Sequence, residues 1–182
     1  FPSEWKFVTN ERKRRDPTPF IQGRSTYSFF ESAPISTYVF AFAAGPFAKV
    51  GGRNSKEVFN ELIKEGKFFT IDGQQGVDDD DLDQRTAPHI YVRKSQLEKF
   101  KPHAAEVFRL NREAVKYFEE YFDYKFPFPK YDLVLIPEFP FGGMEHAGAA
   151  FLRESSIIFP QEPTKNDHIS RALLIFHEAS HQ

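Results

Sequence analysis

The spacing of apolar residues divides the chain into a β-rich first part and a mixed second part. Residues 5–9, with Trp5, Phe7 and Val8, read as a strand. Residues 25–31 and 35–44 are rich in Thr, Tyr and Phe and read as two further strands that could pair. Ala33-Pro34 separates them, and Gly45-Pro46 ends the second. Arg12-Lys13-Arg14-Arg15 reads as a charged edge or loop leading into a break at Pro17-Thr18-Pro19. Residues 56–67 carry Val58, Phe59, Leu62 and Ile63 at helical spacing and stop near Gly66. A short strand follows at 89–93. The expected domain boundary lies just after it, giving segments 1–93 and 94–182.

The second part alternates helix and strand. Pro102 is expected to open a long helix, with Ala105, Phe108, Val115, Phe118 and Phe122 at helical spacing. That helix should end near Tyr124, before Phe126-Pro127-Phe128-Pro129. Residues 131–137 form the apolar run of a buried strand. After a Pro- and Gly-rich turn at 137–143, residues 149–153 and 156–159 read as two more strands. A last helix starts at Asn166 or Asp167 as N-cap. Ile169, Ala172, Leu173, Leu174, Ile175, Phe176 and Ala179 make it apolar nearly all round, which predicts a buried helix.

Composition narrows the function. A chain of 182 residues, 40% of them apolar, can bury a core, and 22 Phe with 7 Tyr favour tightly packed sheet and helix surfaces. A net charge of −2 and a pI near 6.3 remove the electrostatic case for nucleic acid or an anionic membrane as partner. The apolar runs are too short to span a bilayer. No signal segment is visible at Phe1, as expected if the true N-terminus lies upstream. With no cysteine, any metal must be held by histidine and carboxylate. The aspartates of 78–83 lack the alternation and the glycine of a calcium loop and read as solvated.

Two clusters of residues carry chemistry. The last helix holds His177-Glu178-x-x-His181, the H-E-x-x-H arrangement that binds zinc in peptidases. Residues four apart share a helix face, so both imidazoles can reach one ion while Glu178 stands beside it. The alternative is two core histidines bonded to carbonyls and a surface glutamate. Upstream lies Gly142-Gly143-Met144-Glu145-His146. On its own the glycine pair shows only a sharp turn or a close backbone approach. Glu145 could be a surface residue, or a carboxylate beside a strand edge that binds a cationic group.

Gly142-Gly143-Met144-Glu145, followed about thirty residues later by the histidine motif, resembles the gluzincin aminopeptidases, the zinc family of aminopeptidase N and leukotriene hydrolase. The family signature reads G-x-M-E-N and then H-E-x-x-H, and residues 34–42 and 131–137 look like the strands that flank it. The resemblance implies an α+β chain: the end of an N-terminal all-β, saddle-like domain, then the first part of a thermolysin-like catalytic domain. It implies that His177 and His181 bind Zn2+ and that Glu178 is the general base. Gly142, Gly143 and Met144 would pair with the substrate backbone, and Glu145 would bind its free α-ammonium. The partners implied are peptides with a free N-terminus, with no transmembrane segment in this chain. His146 stands where the family has Asn, and Ser180 where a small apolar residue is usual.

The family's third zinc ligand, a Glu on a further helix, is expected beyond Gln182, as is its transition-state-stabilising Tyr. The chain is therefore expected to be an internal piece of a longer metallo-aminopeptidase. The alternative is a catalytically inactive fragment or binding fold.

Overall fold

The structure, a computed structural model, describes residues 1–19, 23–51, 88–159 and 162–182, with the backbone alone at 15–17. The helix expected at 56–67 and the aspartate run lie outside the described residues. The architecture is mixed α+β. Its centre is a five-stranded sheet of β5 (Phe47–Gly51), β6 (His89–Arg93), β7 (Asp132–Ile136), β9 (Ala149–Arg153) and β8 (Gly143–Met144), in that spatial order. β6, β7 and β9 run parallel, and β5 and β8 join the two edges antiparallel. The sheet is continuous across residue 93, taking two strands from before it and three from after.

Alternation along the strands sends side chains to two cores. Ile90, Val92, Leu133, Leu135, Ala150 and Leu152 face the helices. Tyr91, Val134, Ala149 and Phe151 face Val8 and Ala41 of the N-terminal segment. The helical layer is α1 (Leu97–Phe122), α2 (Glu154–Ile157) and α3 (Lys165–Ser180).

α1 begins earlier than Pro102, which sits inside it. An interior proline costs about 3 kcal/mol. Burying Phe100 and Val107, both fully enclosed, offsets that at about 1.5–3 kcal/mol for each side chain. The buried stripe is Phe100, Ala104, Val107, Leu110, Asn111 and Ala114, adjacent to the predicted one, and Phe122 is exposed. Asp123 ends the helix in the left-handed region, φ 49°.

The N-terminal segment departs from the expected pairing. β1 (Lys6–Thr9) pairs with β4 (Phe42–Gly45), and β2 (Lys13–Pro19) pairs with β3 (Ser25–Phe29). The run 35–44 is interrupted by a 3-10 turn at Thr37–Val39, where the Ser36 hydroxyl accepts from the Tyr38 amide and bends the chain out of strand geometry. Pro17 and Pro19 belong to β2, not to a break. A two-stranded ribbon has outer edges where a missing N–H costs nothing, and the ladder shifts register between Arg15 and Thr18.

Two more elements differ from the sequence pattern. Residues 154–157 are helical because Arg93 grips Glu154 with two charge-assisted bonds, Nε–Oε2 2.9 Å and Nη2–Oε1 2.6 Å. α3 starts at Lys165, capped by Thr164, whose hydroxyl accepts from the Asp167 amide in a reciprocal capping box. It is not enclosed. Arg171, Ile175, Glu178 and Ala179 are buried, while Ile169 and Leu173 are 46% and 66% exposed. Among the described residues no helix is long and apolar enough to cross a membrane.

At the start of β7 a buried ion pair ties the sheet to its neighbours. Lys130 Nζ lies 2.8 Å from Asp132 Oδ2 and donates to the Gly148 carbonyl at 3.0 Å. The His89 amide donates to Asp132 Oδ1 at 3.1 Å. Burial pushes the Asp132 carboxyl up, but Lys130 and His89 together outweigh it and leave the group below its ordinary value. A depressed carboxyl contributes stability above its unfolded value that is lost as pH falls through the folded one. Asp132→Asn should therefore destabilise by about 3–5 kcal/mol at neutral pH, because Lys130 stays buried without its anion. Denaturant titrations should show the gap from wild type shrinking below about pH 4; an equal gap at pH 3 and pH 7 would contradict the pair.

Candidate active site

The site is an open face between the sheet edge and the last turn of α3. β8 is the outermost strand, pairing on one side only, with Gly143 opposite Leu152 and Met144 opposite Phe151. Arg153 fixes its approach: Nε donates to the Phe139 carbonyl at 2.8 Å, Nη2 to Pro140 at 2.9 Å, and the Arg153 amide to Gly142 at 2.8 Å. The 137–143 turn is thus held by main-chain acceptors, and among the described residues the other edge of β8 has no strand partner.

α3 presents its motif across from this edge. His177 Nε2 and His181 Nε2 stand 3.3 Å apart, with both rings exposed to solvent. Two imidazoles on one tetrahedral zinc ion, each bound at about 2.0–2.1 Å, would have nitrogens about 3.3 Å apart, so the pair fits such an ion. The core-histidine alternative is excluded, since neither ring is buried. Glu178 is the opposite: 3% exposed, with Oε2 lacking any partner. Among the described residues no group of three or more His, Cys, Asp or Glu is placed to hold a metal. Ser180 is accommodated because its hydroxyl donates to the His177 carbonyl at 2.7 Å.

Gly143 explains how Glu178 and the edge strand come together. A Cβ on Gly143 would overlap the Glu178 carboxylate and lie 2.7 Å from its Cγ. The strand backbone rests directly on the glutamate. Gly142 is less tight, its absent Cβ 3.3 Å from Leu174 Cδ1. Burial pushes the Glu178 carboxyl up to about 7, and the Glu145 carboxylate adds to the effect. Two carboxylates thus share one face.

Three positioning residues were not assigned from sequence. Gln182 closes the end of α3 onto the Glu145 loop: Oε1 accepts from the Gly148 amide at 2.9 Å, and Nε2 donates to the Glu145 carbonyl at 3.2 Å. Asn10, 5% exposed, donates through Nδ2 to the carbonyls of Val39 and Ala147 at 2.9 and 2.8 Å and accepts the Ala41 amide at 2.9 Å. Tyr38 stands at that clamp, with its hydroxyl 3.9 Å from Met144 Sδ. Only Gln182, adjacent to the motif, left a signal that could have been followed. His146 packs edge-on against Phe151, ring centroids 4.8 Å apart, and burial holds it below its ordinary value.

The family profile described as "Peptidase family M1 domain" matches residues 107–182. Residues 107–182 belong to peptidase family M1. The site geometry at 142–145 and 177–181 falls within this M1 stretch. Among curated relatives, the aminopeptidase N of Streptomyces lividans is 32% identical over 181 residues, 99% of this chain and 17% of its own. The glutamyl aminopeptidase of Homo sapiens is 30% identical over 184 residues, 100% and 16% respectively. The puromycin-sensitive aminopeptidase of Caenorhabditis elegans is 27% identical over 166 residues, 90% and 14%. The chain thus spans about a sixth of the length of these relatives.

The contact of Gly143 with Glu178 gives a direct test. Gly143→Val should force the carboxylate out of its buried position and cost about 1–3 kcal/mol in stability. Urea denaturation of the variant measures it, and a stability equal to wild type would show that β8 is not packed on Glu178.

Proposed function

We propose that the chain carries the metal-binding helix and the substrate-binding edge of a zinc aminopeptidase, which removes residues from the free N-terminus of peptides. The observation that carries this reading is the contact of β8 with Glu178. A buried carboxylate with one free oxygen lies between a strand edge open to substrate and a converged pair of histidines.

In this reading His177 and His181 hold a zinc ion, with a third protein ligand supplied from beyond the described residues. When bound, the ion polarises a carbonyl and lowers the pKa of water. The unpaired edge of Gly142, Gly143 and Met144 takes the substrate main chain as an added strand. Glu145, at the end of that edge, binds the α-ammonium, so a peptide without a free N-terminus leaves a carboxylate unpaired. Glu178 accepts a proton from the attacking water and returns it to the leaving amine. Its burial raises the basicity of the carboxylate. The relatives named as aminopeptidases support the reaction class. A thermolysin-like catalytic domain following a β-domain is the architecture this reading implies.

In the full-length protein, Glu178→Gln should retain zinc while lowering kcat by about 10²–10⁴-fold. Metal analysis and a chromogenic aminoacyl anilide measure the two. Turnover near wild type in the zinc-loaded variant would end the general-base role. Chelation should abolish turnover and zinc should restore it; chelator-insensitive activity would remove the metal from the reaction. Glu145→Ala should raise KM for aminoacyl substrates and leave zinc content unchanged, and unaltered kinetics would rule out the ammonium anchor.

A further inference from the structure

We propose that Tyr38, from the N-terminal segment, forms one wall of the pocket for the substrate's first side chain and makes the site selective for large apolar residues there. The inference rests on the aminopeptidase reading above and deepens it.

Tyr38 has the geometry of a contact residue. Its ring is 64% exposed, although its hydroxyl donates to Met144 Sδ at 3.9 Å across a sequence separation of 106 residues. An aromatic side chain on an open turn would ordinarily be free to rotate. Here the turn is fixed from both sides. The Ser36 hydroxyl caps it, the Ala147 amide donates to the Val39 carbonyl at 3.3 Å, and buried Asn10 bridges Val39, Ala41 and Ala147. Asn10 uses three of its hydrogen bonds to hold Tyr38 in register with the loop that carries Glu145. The Tyr38 contact with Met144, the residue before Glu145, sets the ring beside the ammonium anchor, and the Glu145 carboxylate holds the Tyr38 phenol above its ordinary value.

The chemistry of this corner is specific. A carboxylate fixes the ammonium of the first residue, and that residue's side chain must then leave its Cα within a few ångströms. Among the described residues, the Tyr38 ring and the Met144 thioether offer surface there. Both are polarisable and apolar, so large aliphatic or aromatic side chains gain contact and small or acidic ones do not.

The test compares Tyr38→Ala and Tyr38→Phe in the full-length protein on leucyl, phenylalanyl and alanyl anilides. Exposure of the side chain means that neither change should alter the melting temperature. Tyr38→Ala is expected to lower kcat/KM for the leucyl and phenylalanyl substrates by about tenfold, mostly through KM, while the alanyl substrate changes little. Tyr38→Phe keeps the wall and should preserve the wild-type preference. The inference is overturned if Tyr38→Ala keeps that preference, or if Tyr38→Phe loses as much of it as Tyr38→Ala. Failure of the underlying reading looks different: Glu145→Ala and chelation would then leave turnover unchanged. A Glu145-dependent enzyme indifferent to Tyr38→Ala would sink this inference alone.

Discussion

The contact of a strand backbone with a buried carboxylate governs the geometry of this chain. β8 can lie against α3 only because Gly143 offers no side chain at that point. A side chain there would displace the Glu178 carboxylate from its buried position. The same closeness removes water from Glu178 and raises its carboxyl. Packing and reactivity therefore come from a single contact, and a glutamate on the exposed face of the same helix would have neither.

Polar connections keep the two sides of the face aligned. Gly148, at φ +67°, receives Lys130 and the Asp132 amide on its carbonyl and gives its own amide to Gln182. A Cβ there would fall 2.9 Å from the Asn10 carbonyl, so the position is restricted both by conformation and by space. The buried ion pair, the end of α3 and the Glu145 loop meet at this one residue. Buried networks of this kind cost stability when broken and fix one arrangement when complete.

The motifs were legible in the sequence because short-range spacing encodes them. His177 and His181 need only a helix to converge, and Gly142 and Gly143 announce a close approach without naming its partner. The partner, Glu178, is a tertiary fact. The exposure of the helix was misread, since apolar residues at Ile169 and Leu173 do not state what covers them. Residues 156–159 were read as a strand, yet 154–157 are helical, with Glu154 held by the Arg93 fork. The strand expected over 35–44 survives only in its last residues, within β4, because before them Ser36 and Asn10 supply side-chain bonds in place of a ladder. Asn10 itself had no local signature. A single asparagine after a strand says nothing of carbonyls far along the chain.

That asparagine has a kinetic meaning. Its bond to Ala147 joins positions 137 residues apart, so the loop it closes includes most of the described chain. Closing so long a loop is slow and is rewarded only after the intervening sheet has formed. α3 docks on α1 through a shorter loop, Arg171 meeting His103 across 68 residues, whereas the corner around Tyr38 and Glu145 waits for the Asn10 closure. By loop length alone, the contact of α3 with α1 is expected to form before the clamp at Ala147. An arrested or mispaired N-terminal segment would leave the histidines of α3 in place and the loop of Glu145 without its Asn10 clamp.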